Sequence, residues 1–247
     1  MNQSSLSYHI HGSEQQYLEV CLPPEKSVMA ETTSVMMFDD GIEILKTSGK
    51  KTRKRTNFLN KAIDTGIRIL RRENLYLSSF SNETSTNKRI LFTPTYPGKI
   101  IQIDLNAFDG EFFCQKDSFL AASEDVFVGI EASRSSENNF FVKKGLLMRK
   151  LTGSGVAFLS AGGGFFKKKL EENESVYISI ASLVGFSKDV DVQIEYIGEE
   201  KKSIFGGDSF LMIKLKGPGT IFTQLLSIDR FEQVFLSFIN QNEPKKR

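Results

Sequence analysis

The sequence predicts an all-β protein made of three tandem β units with a sandwich-like or barrel-like closure. First, short segments such as YLEVCL, KIIQIDL and SVYISI alternate apolar and polar residues with the period of two typical of a β-strand. Second, Gly, Pro, Asp and Asn bound these segments at the short intervals typical of sandwiches and barrels. Third, two sequence elements recur along the chain.

The first recurrent element consists of a serine, a short apolar run, a charged turn and an alternating strand. It begins at Ser34 (SVMMFDDGIEI), Ser118 (SFLAASEDVFVGI) and Ser182 (SLVGFSKDVDVQI). The spacing is 84 residues between the first two copies and 64 between the last two. The excess of 20 residues predicts an insertion within the first unit.

The second recurrent element contains paired glycines. It reads LTGSGVAF at residues 151–158 and LKGPGTIF at 215–222, with a weaker copy, YPGKII, at 96–101. Gly155 and Gly219 are again 64 residues apart. We therefore place the three units at residues 1–105, 106–170 and 171–247, with the insertion of the first unit at 46–72.

The glycines of LTGSGVAFLSAGGGFF invite comparison with a phosphate-binding loop. Such a loop works because a helix begins directly after it and points its N–H groups at the anion. Here Val-Ala-Phe-Leu follows Gly155 and Thr-Ile-Phe-Thr follows Gly219, and both segments are strand-like. The glycines are therefore predicted to be turn or bulge positions where φ is positive or strands pack closely.

The insertion is strongly basic and is predicted to form an amphipathic helix. Residues 46–72 hold ten Lys and Arg and a single acid, Asp64, a balance of +9 in a chain of net charge +2. Thr56 or Asn57 can cap a helix whose apolar stripe is Leu59, Ile63, Ile67 and Leu70.

Basic amphipathic helices bind RNA or anionic membrane surfaces. The alternative is that the apolar stripe packs on the β body and the basic run is a solvated loop. The candidate residues for an anionic partner are Lys50, Lys51, Arg53, Lys54, Arg55, Lys61, Arg68, Arg71 and Arg72.

Three aromatic doublets occur in a chain that has 21 Phe and no Trp. Successive side chains of a strand point to opposite faces, so a doublet places one ring on each face. We expect one ring of each doublet to contact another subunit, the alternative being a sheet buried on both faces within one chain. The candidate interface residues are Phe112, Phe113, Phe140, Phe141, Phe165 and Phe166.

The two ends of the chain carry different signals. The C-terminal segment DRFEQVFLSFINQNEPKKR has apolar residues at helical spacing and predicts a short docking helix. The N-terminal segment lacks the basic and apolar regions of a signal peptide, and no apolar run approaches the ~20 residues that span a bilayer. We therefore expect a cytoplasmic protein.

The titratable and nucleophilic residues form no set that predicts catalysis. His9 and His11 are the only histidines and could supply two metal ligands from one strand face. A catalytic site usually needs about three protein ligands, and no third accompanies them. A cupin-like metalloenzyme that binds a metal through this pair is the catalytic alternative, and we predict no metal site and no cofactor.

The acidic pairs at 39/40 and 124/125 recur at equivalent places in the repeat and are therefore predicted to be hairpin-turn residues rather than general acids and bases. Cys21 and Cys114 lie in strand-like segments without the spacing of a metal site or disulfide framework. We predict no catalytic residues.

Several segments along nearly the whole chain carry a family resemblance. They are HGSEQQYLEVCLPPE near the start, ENLYLSSF from Glu73, SFLAASEDV, LTGSGVAFLSAGGG, SLVGF and KGPGTIFTQ. In this order and spacing the chain resembles the bacterial type of the altered-inheritance-of-mitochondria family. It departs from the family in having Pro23-Pro24 in place of Pro-Gly and in its basic insertion.

The resemblance implies three β units per chain that each resemble the tryptophan RNA-binding attenuation protein, with a double-stranded β-helix or sandwich-like fold. It also implies assembly as a homotrimer and no established catalytic residues. Tryptophan and RNA binding do not carry over, because the ligand-contacting residues of that protein have no match here. The function we expect is that of a non-catalytic structural or scaffolding protein with protein partners. A binding module for RNA or anionic lipid is the alternative.

Overall fold

The computed structural model describes residues 6–47, 77–131, 147–197 and 210–227, together with 230–232 and 236. Nearly all of its elements are β-strands, which confirms the predicted all-β class. The described residues 230–232 and 236 are helical, and the rest of the predicted C-terminal helix lies outside the described residues.

One leading strand, β1 (Ser7–His11), precedes three successive sets of six strands. The first set is β2 (Tyr17–Leu22), β3 (Ser27–Glu31), β4 (Val35–Phe38), β5 (Ile42–Thr47), β6 (Leu77–Asn82) and β7 (Lys88–Phe92). The second set is β8 (Gly98–Asp104), β9 (Glu111–Gln115), β10 (Phe119–Ser123), β11 (Val126–Glu131), β12 (Met148–Gly153) and β13 (Val156–Gly162). The third set is β14 (Phe165–Leu170), β15 (Ser175–Ser179), β16 (Leu183–Ser187), β17 (Asp191–Ile197), β18 (Phe210–Lys216) and β19 (Gly219–Gln224).

Each set has the same internal pairing, which is easiest to follow if its six strands are lettered a to f in chain order. Strand a pairs with f and strand c pairs with f, which gives one three-stranded group. Strand b pairs with e and strand d pairs with e, which gives the other. All of these pairings are antiparallel.

Consecutive sets are joined by pairing of strand b with the strand c that belongs to the next set. β3 pairs with β10, and β9 pairs with β16. These two joints produce six-stranded sheets in the orders β5-β6-β3-β10-β13-β8 and β11-β12-β9-β16-β19-β14. The sheets β1-β2-β7-β4 and β15-β18-β17 contain the remaining strands.

A three-residue 3-10 turn lies between strands b and c of every set, at Thr32–Ser34, Lys116–Ser118 and Ile180–Ser182. Strand c then begins with an irregularity in its register with strand f, at Val35, Phe119 and Leu183. The Ser-initiated element of the sequence therefore corresponds to one recurring feature, the turn and bulge that start strand c.

Among the described residues, three apolar clusters form the core, one associated with each set. Leu18, Phe80 and Ile90 belong to the first cluster, Phe112, Leu151 and Leu159 to the second, and Phe186, Ile213 and Ile221 to the third. The two six-stranded sheets contribute residues to neighbouring clusters from opposite faces. Strands such as β10 and β16 are consequently buried along their whole length.

The predicted boundaries at residues 105 and 170 fall about one strand later than the pairing pattern. β8 precedes residue 105 but pairs with β13, and β14 precedes residue 170 but pairs with β19. The Ser-initiated element lies at strand c, and the two stronger copies of the paired-glycine element lie at e–f turns. The weaker copy at 96–101 lies instead at the start of strand a of the second set. These elements establish the spacing of the repeat but not the strand at which a set begins.

The glycine prediction is confirmed at the e–f turns. Gly153 and Gly219 have φ of 131° and 144°, values that L side chains rarely adopt. A strand follows each turn, β13 after Gly153 and Gly155 and β19 from Gly219. The helix that a phosphate-binding loop requires is therefore not present at these positions.

Candidate assembly interface

The first joint between sets brings small side chains face to face. Ala30 of β3 lies opposite Ala121 of β10, and Met29 lies opposite Ala122. Met29 packs against the core cluster of the second set, to which Ala122 belongs. Strand b of one set therefore helps to complete the core of the next.

The second joint has the same register with larger side chains. Cys114 of β9 lies opposite Gly185 of β16, and Phe113 lies opposite Phe186. The rings of Phe113 and Phe186 stack, with 5.4 Å between centroids and 15° between planes. Phe113 of the second set belongs to the core cluster of the third set. In the same way, Met29 of the first set packs against the core cluster of the second set.

A carboxylate secures one end of the first joint. Glu124, in the turn after β10, accepts a hydrogen bond of 2.6 Å from Lys26 Nζ and further bonds from the backbone N–H and Oγ of Ser27. Partial burial alone would raise the pKa of Glu124, but the bonds from Lys26 and Ser27 outweigh it and lower the pKa.

A buried ion pair secures the other end. Arg149 of β12 is only 2% exposed, and its Nη2 donates to Glu31, the last residue of β3. The guanidinium also lies over the Phe119 ring, 5.2 Å from its centroid. Burial raises the pKa of Glu31, and the nearby Arg149 charge only partly opposes that rise.

β4, strand c of the first set, is exposed, whereas the equivalent strands β10 and β16 are buried. In β10 and β16 every residue is buried. In β4, by contrast, Met36, Met37 and Phe38 are between 41% and 52% exposed. β7 is the only strand with which β4 pairs among the described residues.

Strand b of the third set is similarly uncovered. The interiors of β3 and β9 are largely buried, whereas β15 alternates exposed and half-buried residues. Tyr177, at its centre, is 44% exposed. β18 is the only partner of β15 within the part of the chain that the structure describes.

A second exposed apolar surface lies at the start of β14. Phe165 and Phe166 are 41% and 57% exposed, and Leu225 is also well exposed. Leu225 lies beside them because its N–H donates to the carbonyl of Gly164. These two phenylalanines are therefore available for the predicted subunit contact.

The other aromatic doublets have different outcomes. Phe112 and Phe113 are both buried within the chain, so for them the alternative of a sheet buried on both faces is the one the structure shows. β9 is an interior strand, paired on both sides, so neither ring is exposed at the surface of the described chain. Phe140 and Phe141 lie outside the described residues.

The two histidines lie close together on β1. Their ring centroids are 4.3 Å apart, and His11 also stacks on Tyr17. His11 Nε2 lies 2.6 Å from a carboxylate oxygen of Glu19 on the neighbouring strand. The described residues hold no group of three His, Cys, Asp or Glu side chains suited to a metal ion.

The acidic pairs occupy the hairpin turns predicted for them. Asp39 Oδ2 accepts a 2.8 Å hydrogen bond from the N–H of Arg89. At the equivalent place in the second set, Ser123 Oγ accepts from the N–H of Val156. Ser187 Oγ accepts from Thr220 in the third. Asp39 therefore has the structural role of a turn-stabilising acceptor.

The two cysteines are free thiols. Cys114 is fully buried, and burial raises the pKa of its thiol to about 12. Such a thiol is a packing residue rather than a nucleophile. No helix in the described part of the chain is long and apolar enough to cross a membrane.

The basic residues of the insertion lie outside the described residues, apart from the backbone at the end of β5. The candidates Lys50, Lys51, Arg53, Lys54, Arg55, Lys61, Arg68, Arg71 and Arg72 therefore stay a prediction from sequence. The exposure of β4 was not predicted, although a signal was available. Met36-Met37 stands where the other copies of the element have Leu120-Ala121 and Val184-Gly185.

Comparison with known proteins identifies the family. The model of the mitochondrial biogenesis AIM24 family matches residues 8–225. The chain belongs to this family. The family resemblance predicted from the sequence is thereby confirmed.

A solved structure supports the fold. The X-ray structure of a Streptococcus pyogenes protein superposes with a TM-score of 0.72 at 18% sequence identity, covering 94% of this chain and 99% of that one. No curated protein matches the chain. At this identity the similarity establishes a shared fold and nothing about activity.

Proposed function

We propose that this protein is a non-catalytic structural or scaffolding protein that acts as a homo-oligomeric β assembly. The observation that carries the proposal is the exposed apolar surface of strands β4 and β14. Met36, Met37 and Phe38 lie on the first, and Phe165 and Phe166 on the second. Soluble monomers rarely leave contiguous apolar surface of this kind uncovered.

The oligomer we propose is a homotrimer in the cytoplasm, with each strand set resembling a subunit of the tryptophan RNA-binding attenuation protein. The recurring a–f pairing is compatible with such subunits, because each set presents an edge strand to the next. The described residues that could carry chemistry have structural roles: Asp39 and Glu124 stabilise backbone, and Cys114 is buried.

Native mass spectrometry and light scattering over a range of concentrations test the proposal. Wild-type protein is expected at three times the chain mass of 27.8 kDa. A variant with Phe38→Ser, Phe165→Ser and Phe166→Ser is expected to dissociate, whereas Phe127→Ser removes one equally exposed ring from β11 and should not. A single-chain mass for the wild type at every concentration would contradict the proposal.

The basic insertion supports a second candidate function, a binding module for RNA or anionic lipid. Its balance of +9 over residues 46–72 contrasts with the net negative remainder of the chain. Salt-sensitive binding to single-stranded RNA or to phosphatidylserine vesicles is the expected signature.

Matched charge reversals test this second candidate. Lys54→Glu with Arg55→Glu should abolish binding, and Arg68→Glu with Arg71→Glu should do the same. Lys167→Glu with Lys169→Glu changes the net charge equally on β14 and should leave binding nearly unchanged. Equal losses in all three variants would show that the insertion is not the binding surface.

A further inference from the structure

The two joints inside the chain define one geometry for strand b against strand c. In the first, Met29 lies opposite Ala122, and in the second, Phe113 lies opposite Phe186. The neighbouring residues keep the same offset, because Ala30 faces Ala121 as Cys114 faces Gly185. A bulge at the first residue of strand c fixes this register in each set.

In each internal joint, strand b of one set is here called the donor strand and strand c of the next set the receiver strand. β4 is a receiver strand with the same geometry, but it has no donor strand beside it among the described residues. Its register with β7 shifts between Val35 and Met37, as in the other two sets. Phe38 is therefore equivalent to Phe186, which is 2% exposed beneath its partner strand. Phe38 itself is 41% exposed.

β15 is the complementary donor strand that has no receiver among the described residues. Tyr177 is equivalent to Phe113, because both lie at the third position of strand b. Phe113 enters the core of the following set, whereas Tyr177 is 44% exposed. The donor and receiver halves of the joint are therefore present in each chain without being paired to each other.

We propose that β15 of one copy pairs antiparallel with β4 of a second copy. The internal joints predict the register: Tyr177 opposite Phe38, Ile178 opposite Met37 and Val176 opposite Asp39. The inference rests on the proposed homo-oligomer and supplies its contact. Because donor and receiver are different surfaces, the contact is heterologous, and a ring of three copies would leave neither edge unpaired.

The side chains on the two strands suit this pairing. Phe38 and Tyr177 form the aromatic pair that Phe113 and Phe186 form within the chain. The Tyr177 hydroxyl already donates a hydrogen bond of 2.8 Å to Glu195. Burying the ring therefore leaves no polar group without a hydrogen-bond partner. Met36 and Met37 add flexible side chains that adapt to a partner surface.

The charges at the end of the proposed joint differ from those of the first internal joint. Lys26 and Glu124 form an ion pair at the first internal joint. At the proposed β4–β15 joint the equivalent residues are Glu174 and Asp40, which are both acidic. Glu174 is held at 2.8 Å by Lys168 of its own chain, which offsets the like charge. The β4–β15 pairing is therefore stabilised by aromatic and apolar contacts rather than by an intermolecular ion pair.

Cysteine crosslinking tests the register. Opposed residues of antiparallel strands have Cα atoms about 4.5–5.5 Å apart, a separation that a disulfide can bridge. In a Cys21→Ser background, chains with Phe38→Cys and chains with Tyr177→Cys are mixed and oxidised. We expect a disulfide dimer that contains one chain of each kind, and at least a tenfold lower yield from Met36→Cys mixed with Tyr177→Cys.

The outcomes separate this inference from the proposed function. An oligomer without the mixed disulfide overturns the β4–β15 joint but leaves the scaffold proposal standing. A chain with both substitutions that forms its disulfide internally, as a monomer, shows that the joint closes within one chain and also overturns the inference. A protein that is monomeric at every concentration overturns both, provided that circular dichroism shows the variants folded.

Discussion

Arg149 is the largest side chain that the described fold buries completely, and it carries a charge. Its Nη2 reaches Glu31 across the joint between the first two strand sets, while its Nε has no hydrogen-bond partner among the described residues. Removing both charges from water costs about as much as their attraction returns. We therefore interpret the pair as a contact that specifies which strands meet, rather than as a large net stabiliser.

Removing one partner of this pair should be far more damaging than removing both. Arg149→Met is expected to lower the free energy of unfolding by about 3 kcal/mol, because it leaves Glu31 mostly buried without a counter-charge. Adding Glu31→Gln to that variant should recover at least half of the loss. Urea denaturation of both single variants and the double variant measures this coupling, and additive losses would contradict it.

The burial of the Arg149 side chain could have been predicted from its position in the sequence. Leu147, Arg149 and Leu151 alternate along one face of a strand, so the arginine occupies an apolar register. Its partner could not be found in the same way, because Glu31 lies 118 residues away and depends on the pairing of two different sets.

At the scale of the strand, burial depends on the neighbour rather than on composition. β4, β10 and β16 have the same turn, bulge and partner strand f, yet only β4 is exposed. β10 and β16 each have a second neighbour on the other side. The period-two pattern therefore predicted the strands, whereas an edge and an interior strand could not be distinguished from it.

The two equivalent phenylalanines of strand c should respond differently to truncation. Phe186→Ala is expected to destabilise the folded chain by about 3–5 kcal/mol, because it removes a buried ring stacked on Phe113. Phe38→Ala should cost less than about 1 kcal/mol in the isolated chain. Denaturation at low protein concentration measures both, and a loss at Phe38 as large as that at Phe186 would show that β4 is already covered.

At the scale of the whole molecule, contacts between sets determine how the chain responds to acid. Glu124 links the turn after β10 to Lys26 and Ser27 in the first set. Its pKa is lower in the folded chain than its ordinary value of 4.5. The stabilisation it provides is therefore present above that value and is lost as the pH falls through the lower folded pKa.

Glu124→Gln should consequently reduce the acid sensitivity of the fold. The stability difference between wild type and variant is expected to shrink as the pH falls from above 4.5 through the lower folded pKa of Glu124. Glu172→Gln, which removes an exposed carboxylate from the turn before β15, is the charge-matched control. Thermal unfolding across this pH range measures the effect, and parallel curves for wild type and Glu124→Gln would contradict it.

The spacing of the repeat could be predicted from the sequence because the turn and bulge before strand c keep a recognisable serine and apolar run. The starting strand of each set could not, since strands a and b vary in sequence. Phe112 and Phe113 show the same limit, because a doublet reveals that both faces are apolar but not whether the cover comes from the same chain.

Native mass spectrometry of the wild-type chain tests the central claim, a homo-oligomer assembled through exposed strand edges, most directly. The account predicts a mass of three chains of 27.8 kDa, and a single-chain mass for Phe38→Asp combined with Tyr177→Asp and with Phe165→Ser and Phe166→Ser. A wild-type protein that is monomeric across the whole concentration range would contradict the account.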